Sequence, residues 1–420
     1  VSITLPFDAN DVVGAEYRRL LAGTIAADKP ENVVFAVSNT DPASGRGDLY
    51  VALGLASALD RLGWGVRFLD QTRWGEVLPP ETTVSIAMLE SYVPALMGPD
   101  VTRLAWARNW TDSWATLHYL QAFDGVLASS SAALTRITEN FAGPAAVLPI
   151  AADCRLFRPR ADRERTVDLS TTVNEWGQNR DIQRAVAALP EDITLHWFGA
   201  RQNTANEYGS SVHRHAPISF FELPDLYSQS RFVLDDLTPS AREYGSQNSR
   251  LYESLAAGAL PILNEGRGLD ELGLDEVPVY SSPEELTELL TRLNADPEGS
   301  AALAARLHEV VIERHDYTAR AVALVDFLAR VRADSSANRV ETGPLADLAD
   351  ERARRLVAEY HQQRLTGEAA HATERLALVQ AENDGLRAEV QNAHAELTRI
   401  ATLPAVRVVR RVKRLFRGRA

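Results

Sequence analysis

The chain has 420 residues, 45% hydrophobic and 24% charged, which is enough for two globular domains and an appendage. It holds no run of about 18 apolar residues, so no membrane-spanning helix is expected. The single cysteine, Cys154, excludes an internal disulfide and a cysteine-based zinc cluster. Residues 1–10 lack the basic-then-apolar order of a signal peptide, and with one cysteine this leads to the expectation of a cytoplasmic address. The net charge of −13 is unevenly spread: Arg407, Arg410, Arg411, Lys413, Arg414, Arg417 and Arg419 crowd the end with no acid among them. The body before them carries about −20, which argues against nucleic acid as a partner.

Short β-branched runs alternate with amphipathic stretches through the first part of the chain. Strands are predicted at 32–38 (NVVFAVS), 66–70, 84–89, 103–107, 125–128 and 145–148, with helices at 48–62, 112–122 and 130–141. The pattern breaks at 148–159 (LPIAADCRLFRP), then resumes with strands at 166–172, 193–198, 231–235, 259–263 and 277–280. Helices fit between them at 178–189, 224–229, 248–257, 283–294 and 317–331. Alternation of this kind predicts an α/β fold of two doubly wound, Rossmann-like domains, 1–155 and 156–332, facing a cleft.

A polar linker and a helical segment follow over 333–403. Leu376, Val379, Asn383, Leu386, Val390, Ala393, Leu397 and Ile400 recur at alternating spacings of three and four, a coiled-coil seam suited to a homodimer through 376–400. Over 404–420, Ala405, Val408, Val409, Val412, Leu415 and Phe416 share one helical face and the basic residues take the other. This is the pattern of an interfacial helix on an anionic membrane surface.

The most informative segment is 246–263 (SQNSRLYESLAAGALPIL). Polar residues open a helix, Gly258 stops it, and Pro261 leads into a buried strand. The helix start at Asn248, Ser249 and Arg250 offers free amides and a positive dipole end to a diphosphate. Glu253, an acid on an otherwise apolar second half, suits the vicinal hydroxyls of a ribose.

The run 251–263 resembles the Glu-Ala-x-Ala-x-Gly-x-Pro signature of retaining GT-B glycosyltransferases of the family 1/family 4 group. It is most similar to the branch with spore-maturation-type and surface-polysaccharide enzymes. The break at 148–159, with Asp153 ahead of Phe157 and Pro159, resembles that group's interdomain linker, and 313–330 its C-terminal helix. The resemblance implies transfer of a sugar from a nucleotide-diphosphate donor to a surface glycan or lipid-linked acceptor, with retention and without a required metal. It assigns Glu253 to the donor ribose and Arg180 to its phosphates, with Gly199 at the end of the strand 193–198 among the donor contacts. The group's second glutamate, eight positions before the first, is Gly245 here, and Glu243 is the acid nearest to it.

In the first domain, Gly45, Arg46 and Gly47 lie in a loop (SNTDPASGRGD, 38–48) where backbone could approach a phosphate or an acceptor sugar. A dinucleotide fingerprint is the rival reading of that loop, with Asp70 as the ribose acid, but its third glycine would be Tyr50. The segment 104–114 (LAWARNWTDSW) places Asn109 and Trp110 where a sugar ring could stack and hydrogen bond. Glu90, Arg108, Asp112 and Glu243 are the candidate catalytic groups. Asp235 and Asp236 are adjacent acids without visible partners for a metal, and no metal is predicted. A non-catalytic scaffold and an NAD-dependent oxidoreductase are the alternative functions.

Overall fold

The computed structural model describes residues 12–334, except 99, 161, 163, 175–180, 191 and 200–207, together with 343–359, 361, 362, 365, 380, 387, 391, 395 and 399. Residues 1–354 form one compact unit and 355–420 a second. Arg180, the seam positions from Leu376 to Ile400 and the basic stretch 404–420 lie outside the described residues. In the second unit, Arg355 pairs with Glu359 one helical turn on, at 2.8 Å.

The first unit opens with α1 (Val12–Ala22), β1 (Asn32–Val37), α2 (Gly47–Arg61), β2 (Gly65–Asp70), β3 (Val84–Ala87) and β4 (Thr102–Ala107). It continues through α3 (Thr111–Ala115), β5 (Gly125–Ala128), α4 (Ser131–Thr138) and β6 (Ala145–Val147). The second series runs β7 (Val167–Thr171), α5 (Asp181–Ala185), β8 (Leu195–Phe198), β9 (Val212–His215), α6 (Leu223–Gln229) and β10 (Ser230–Leu234). It closes with α7 (Pro239–Tyr244), α8 (Ser249–Ala256), β11 (Leu260–Ile262), α9 (Leu269–Leu272), α10 (Pro283–Ala295), α11 (Pro297–Arg314) and α12 (Tyr317–Asp334).

The first sheet has the order β2-β1-β3-β4-β5-β6 and the second β11-β10-β7-β8-β9, every described pairing parallel. Every residue of β1 (NVVFAV) and β4 (TRLAWA) is buried, as expected of parallel strands covered on both faces. The strand order reverses between β1 and β3 in one sheet and between β7 and β10 in the other. Ligand crevices open outside the carboxyl ends of the strands at such points.

Several elements differ from expectation for identifiable reasons. The stretch 277–280 makes only the single bridge Leu263–Val279, not a strand. The helix expected at 112–122 ends after α3, where Thr116 turns its hydroxyl back onto the Asp112 carbonyl at 2.7 Å; a 3-10 turn follows at Leu120–Ala122. Strand β9 (VHRH) carries too little apolar pattern to read as a strand, because it is an edge. The 18-residue α11 was not foreseen, although Asp296 caps it by accepting from the Gly299 amide and Pro297 opens its first turn.

Helix α12 does not pack within 156–332, where its sequence position put it; it crosses back onto the first domain. A Cβ on Gly54 of α2 would lie 2.2 Å from the Tyr317 ring, and one on Gly125 2.7 Å from Val331. The crossover is stitched to the interdomain linker by a parallel bridge, Ala152–Asp316. Arg320 reinforces it with bonds to the carbonyls of Pro149 (2.8 Å) and Ile150 (3.3 Å). Residues 346–354 then return to the same domain: Ala349 and Ala353 are buried, and Ala353 fits against Gly75.

Gly54→Ala is expected to destabilise the protein by about 1–3 kcal/mol in urea unfolding, because overpacking against Tyr317 outweighs the better helix propensity. A second outcome concerns pH. His196 and His215 face each other across β8 and β9 at 3.0 Å. Burial, then His215 and His213, push His196 down to about 4, while Asp168 opposes this. Burial and His213 also lower His215. Groups depressed in the fold stabilise it above the unfolded value of 6.5, and that support is lost as pH falls towards 4. The unfolding midpoint should therefore drop over that window, and His196→Phe should flatten the drop.

Candidate active site

The carboxyl ends of β7 and β10 meet the amino end of α8, and the chemistry gathers there. Leu251, Leu255 and Ala256 fix one side of α8 in the core, and Gly258, at φ +79°, ends it. Asn248 occupies the N-cap position without capping: its amide donates to Asp235 Oδ1 at 3.0 Å. Among the described residues the first-turn amides of α8 therefore have no side-chain acceptor, and the turn itself is only half-buried.

Arg250 was expected at a pyrophosphate, but most of its guanidinium is already engaged. Nε donates to Thr172 Oγ1 at 2.9 Å and Nη1 to the fully buried Asp235. Nη2 is the nitrogen left over. Three residues on, Glu253 is only 8% exposed, and its carboxylate has no hydrogen bond among the described residues. Burial raises its pKa to about 8, with Arg250 opposing and Asp235 adding to the shift. Tyr227 and Tyr317 stand in electrostatic reach of the same carboxylate.

Other expected donor contacts divide. Gly199 closes on the end of β7, where a Cβ would lie 2.3 Å from the Val173 carbonyl oxygen, so its role is close backbone packing. Gly245 ends α7 at φ +65°, and a Cβ there would lie 3.0 Å from the Arg267 carbonyl oxygen. No acid fits that position, and Glu243 is exposed on α7.

Asp112 requires a correction. It is exposed and accepts bonds from Arg136 and from the Tyr244 hydroxyl, both at 2.9 Å. Its carboxylate thus ties the first domain to Tyr244 of the second. Ser129 and Ser246 share a hydroxyl bond at 2.6 Å beside it, Ser130 donates to the Tyr244 carbonyl, and Glu271 accepts from the Ser131 amide at 3.1 Å. Ser130 also caps α4, its hydroxyl accepting from the Ala133 amide at 3.1 Å.

On the first domain, the three tryptophans of 104–114 separate. Trp106 and Trp114 are core, whereas Trp110 is 43% exposed and holds the left-handed backbone at φ 53°. A bulky residue there is strained, and such strain gathers at functional loops. Asn109 beside it is exposed. Arg108 donates Nη2 to the Met88 carbonyl at 2.9 Å, and its buried Nε has no partner. The Glu90 carbonyl accepts from the Tyr119 hydroxyl, which in turn accepts from Arg352 at 2.6 Å. Arg352 is a contributor that motif reasoning missed.

The loop 38–48 is held by Asp48, which accepts from the Ser38 amide (2.6 Å) and hydroxyl (2.7 Å). Gly45 is left-handed at φ 63°, Arg46 is exposed, and a Cβ on Gly47 would meet nothing within 4 Å. Asp70, the ribose acid of the dinucleotide reading, is spent on the amides of Thr40 (3.0 Å) and Thr72 (2.9 Å). Tyr50, at that reading's third glycine, stacks on Phe220 with centroids 3.9 Å apart. The Asp235–Asp236 pair is likewise engaged: Asp236 accepts from Asn264 at 2.6 Å. Among the described residues, no group of three or more His, Cys, Asp or Glu is arranged to hold a metal ion.

Residues 173–326 match the protein family described as glycosyl transferase-like. No curated protein sequence matches the chain. Among solved structures, it is similar to Anabaena Alr3699/HepE in complex with UDP-glucose, at 12% identity and a TM-score of 0.55, covering 71% of this chain and 99% of that one. It is similar to sucrose-phosphate synthase from Thermosynechococcus elongatus, at 15% identity and a TM-score of 0.54, covering 72% and 100%. The DNA-modifying enzyme β-glucosyltransferase is similar at 10% identity and a TM-score of 0.52, covering 71% and 99%. The paired sheets have the GT-B arrangement of these structures, and within the second domain residues 173–326 carry the sequence pattern of the glycosyl transferase-like family.

Proposed function

We propose that the protein transfers a sugar from a nucleoside diphosphate sugar to a glycan or lipid-linked acceptor. One observation carries this reading: the uncapped end of α8 stands one turn from a buried carboxylate that has no hydrogen bond among the described residues. Amides at a helix start suit a diphosphate, and a desolvated carboxylate suits two ribose hydroxyls donating to it. UDP-glucose is bound in the HepE structure, so uridine is the first base to test.

In this reading the second domain holds the donor and the first the acceptor, with Trp110 and Asn109 at its rim. Closure of the cleft excludes water that would hydrolyse the donor. The departing diphosphate is neutralised by the α8 end, by Nη2 of Arg250 and by Arg180, without a resident cation. Retention at the anomeric carbon rests on the resemblance of 251–263 alone. The basic face of 404–420 supports attachment to the inner face of the cell membrane, and the seam over 376–400 supports a homodimer.

A thermal-shift series of UDP, GDP and dTDP with their sugars tests the assignment. One nucleotide should raise the midpoint, and Glu253→Ala should weaken it by about tenfold or more, the loss of bonds to a charged group. No shift with any of them would remove the donor site.

Glu253 also makes a pH prediction. Its folded pKa lies above the unfolded 4.5, so its stabilising contribution is complete below 4.5 and lost as pH rises through about 8. Glu253→Gln should therefore gain on the wild type by on the order of a few kcal/mol between pH 5 and 9 in urea unfolding. Diol binding favours the ionised form, so calorimetry at pH 7 in buffers of different ionisation enthalpy should show proton release on nucleotide binding. The Gln variant should show none.

A further inference from the structure

The first sheet has its own switch-point crevice, between β1 and β3. Arg108 leaves the end of β4 and reaches back over that crevice to the Met88 carbonyl, which it meets at 2.9 Å. Its Nε is buried without a partner, and no carboxylate lies within ion-pair distance of it among the described residues. The charged or ionisable groups facing it are Asp48 from α2, Glu90 from the loop after β3, and Tyr317 from α12. Both oxygens of Asp48 are occupied by Ser38, and Tyr317 is a phenol whose ionisation burial suppresses. A desolvated guanidinium without a counter-ion is costly to the fold, and a bound anion removes that cost.

Two substrates could bring the anion. The donor diphosphate already has the α8 end and Nη2 of Arg250, both on the second domain. Arg108 belongs to the first domain, at the end of β4, and Tyr317 of α12 is electrostatically coupled to both Arg108 and Glu253. We propose that Arg108 receives an oxyanion carried by the acceptor, a phosphate or carboxylate near the hydroxyl to be glycosylated. The proposal rests on the glycosyltransferase reading above and adds the class of acceptor: an anionic sugar or sugar phosphate. A guanidinium offers paired donors to such a group, which a lysine does not.

The test uses the full chain and its Arg108→Met and Arg108→Lys variants. Glucose 1-phosphate and methyl glucoside, as probes of the acceptor wall, are titrated into protein saturated with the best nucleoside diphosphate. The wild type should bind the phosphate about tenfold or more tighter than the neutral glycoside. Arg108→Met should erase that preference, and Arg108→Lys should keep part of it. Nucleotide affinity should stay within about twofold in both variants, well inside the tenfold step of a lost charged contact. Without ligand, Arg108→Met should melt no lower than the wild type, since it deletes an unpaired charge. Equal binding of the two probes by the wild type overturns the proposal, as does a loss of nucleotide affinity in Arg108→Met, which would assign the guanidinium to the donor. A clear drop in melting temperature overturns it too, because it marks a structural arginine. Failure of the wild type to bind any nucleoside diphosphate would instead sink the donor site.

Discussion

The ion pair between Arg250 and Asp235 is the constraint on which the second α/β domain depends. It lies where β7 and β10 diverge, in a region too dry for either charge to stand alone; removing one partner of such a pair costs about 3–5 kcal/mol. Asp235 also draws in the Asn248 amide, and this leaves the first turn of α8 uncapped. Burial is what chiefly makes charge on Glu253 unfavourable, with Arg250 opposing and Asp235 adding to the effect. One aspartate at a strand end thus engages both the N-cap residue of α8 and the arginine one turn before Glu253.

Much of this was legible in the sequence because it is written locally. The run from Ser246 to Leu263 holds its own start, stop and strand, and the structure keeps all three. The buried parallel strands were legible for the same reason: VVFAV in β1 and LAWA in β4 are continuous apolar runs. What stayed hidden depends on residues far apart in the chain. Asp112 has the look of a cleft acid until Tyr244, more than a hundred residues away, donates to it. The three tryptophans of 104–114 share a composition but not a fate, because only strand register and the turn at Trp110 decide which faces water. Strand β9 was hidden by its edge position, which tolerates two histidines and an arginine.

The domains touch on two flanks with different chemistry. Aromatic rings do the work on one side, with Tyr50 stacked on Phe220 and Tyr17 set edge-on to Phe221 at 6.1 Å. Hydroxyls and exposed charges do it on the other, around Tyr244 and Asp112. Water competes well for the exposed Tyr244–Asp112 bond and poorly for the stacked rings.

Residues 346–354 carry a consequence for where the catalytic body ends. Arg352 supplies a donor to the Tyr119 hydroxyl, and that hydroxyl holds the carbonyl of Glu90. Ala349 and Ala353 cover apolar surface beside Gly75. A chain cut after α12, at the apparent close of the second α/β series, would bare that surface and leave the wall carrying Glu90 without its outer brace. The segment after α12 is therefore masonry of the first domain, and the compact unit runs some twenty residues past the end of α12.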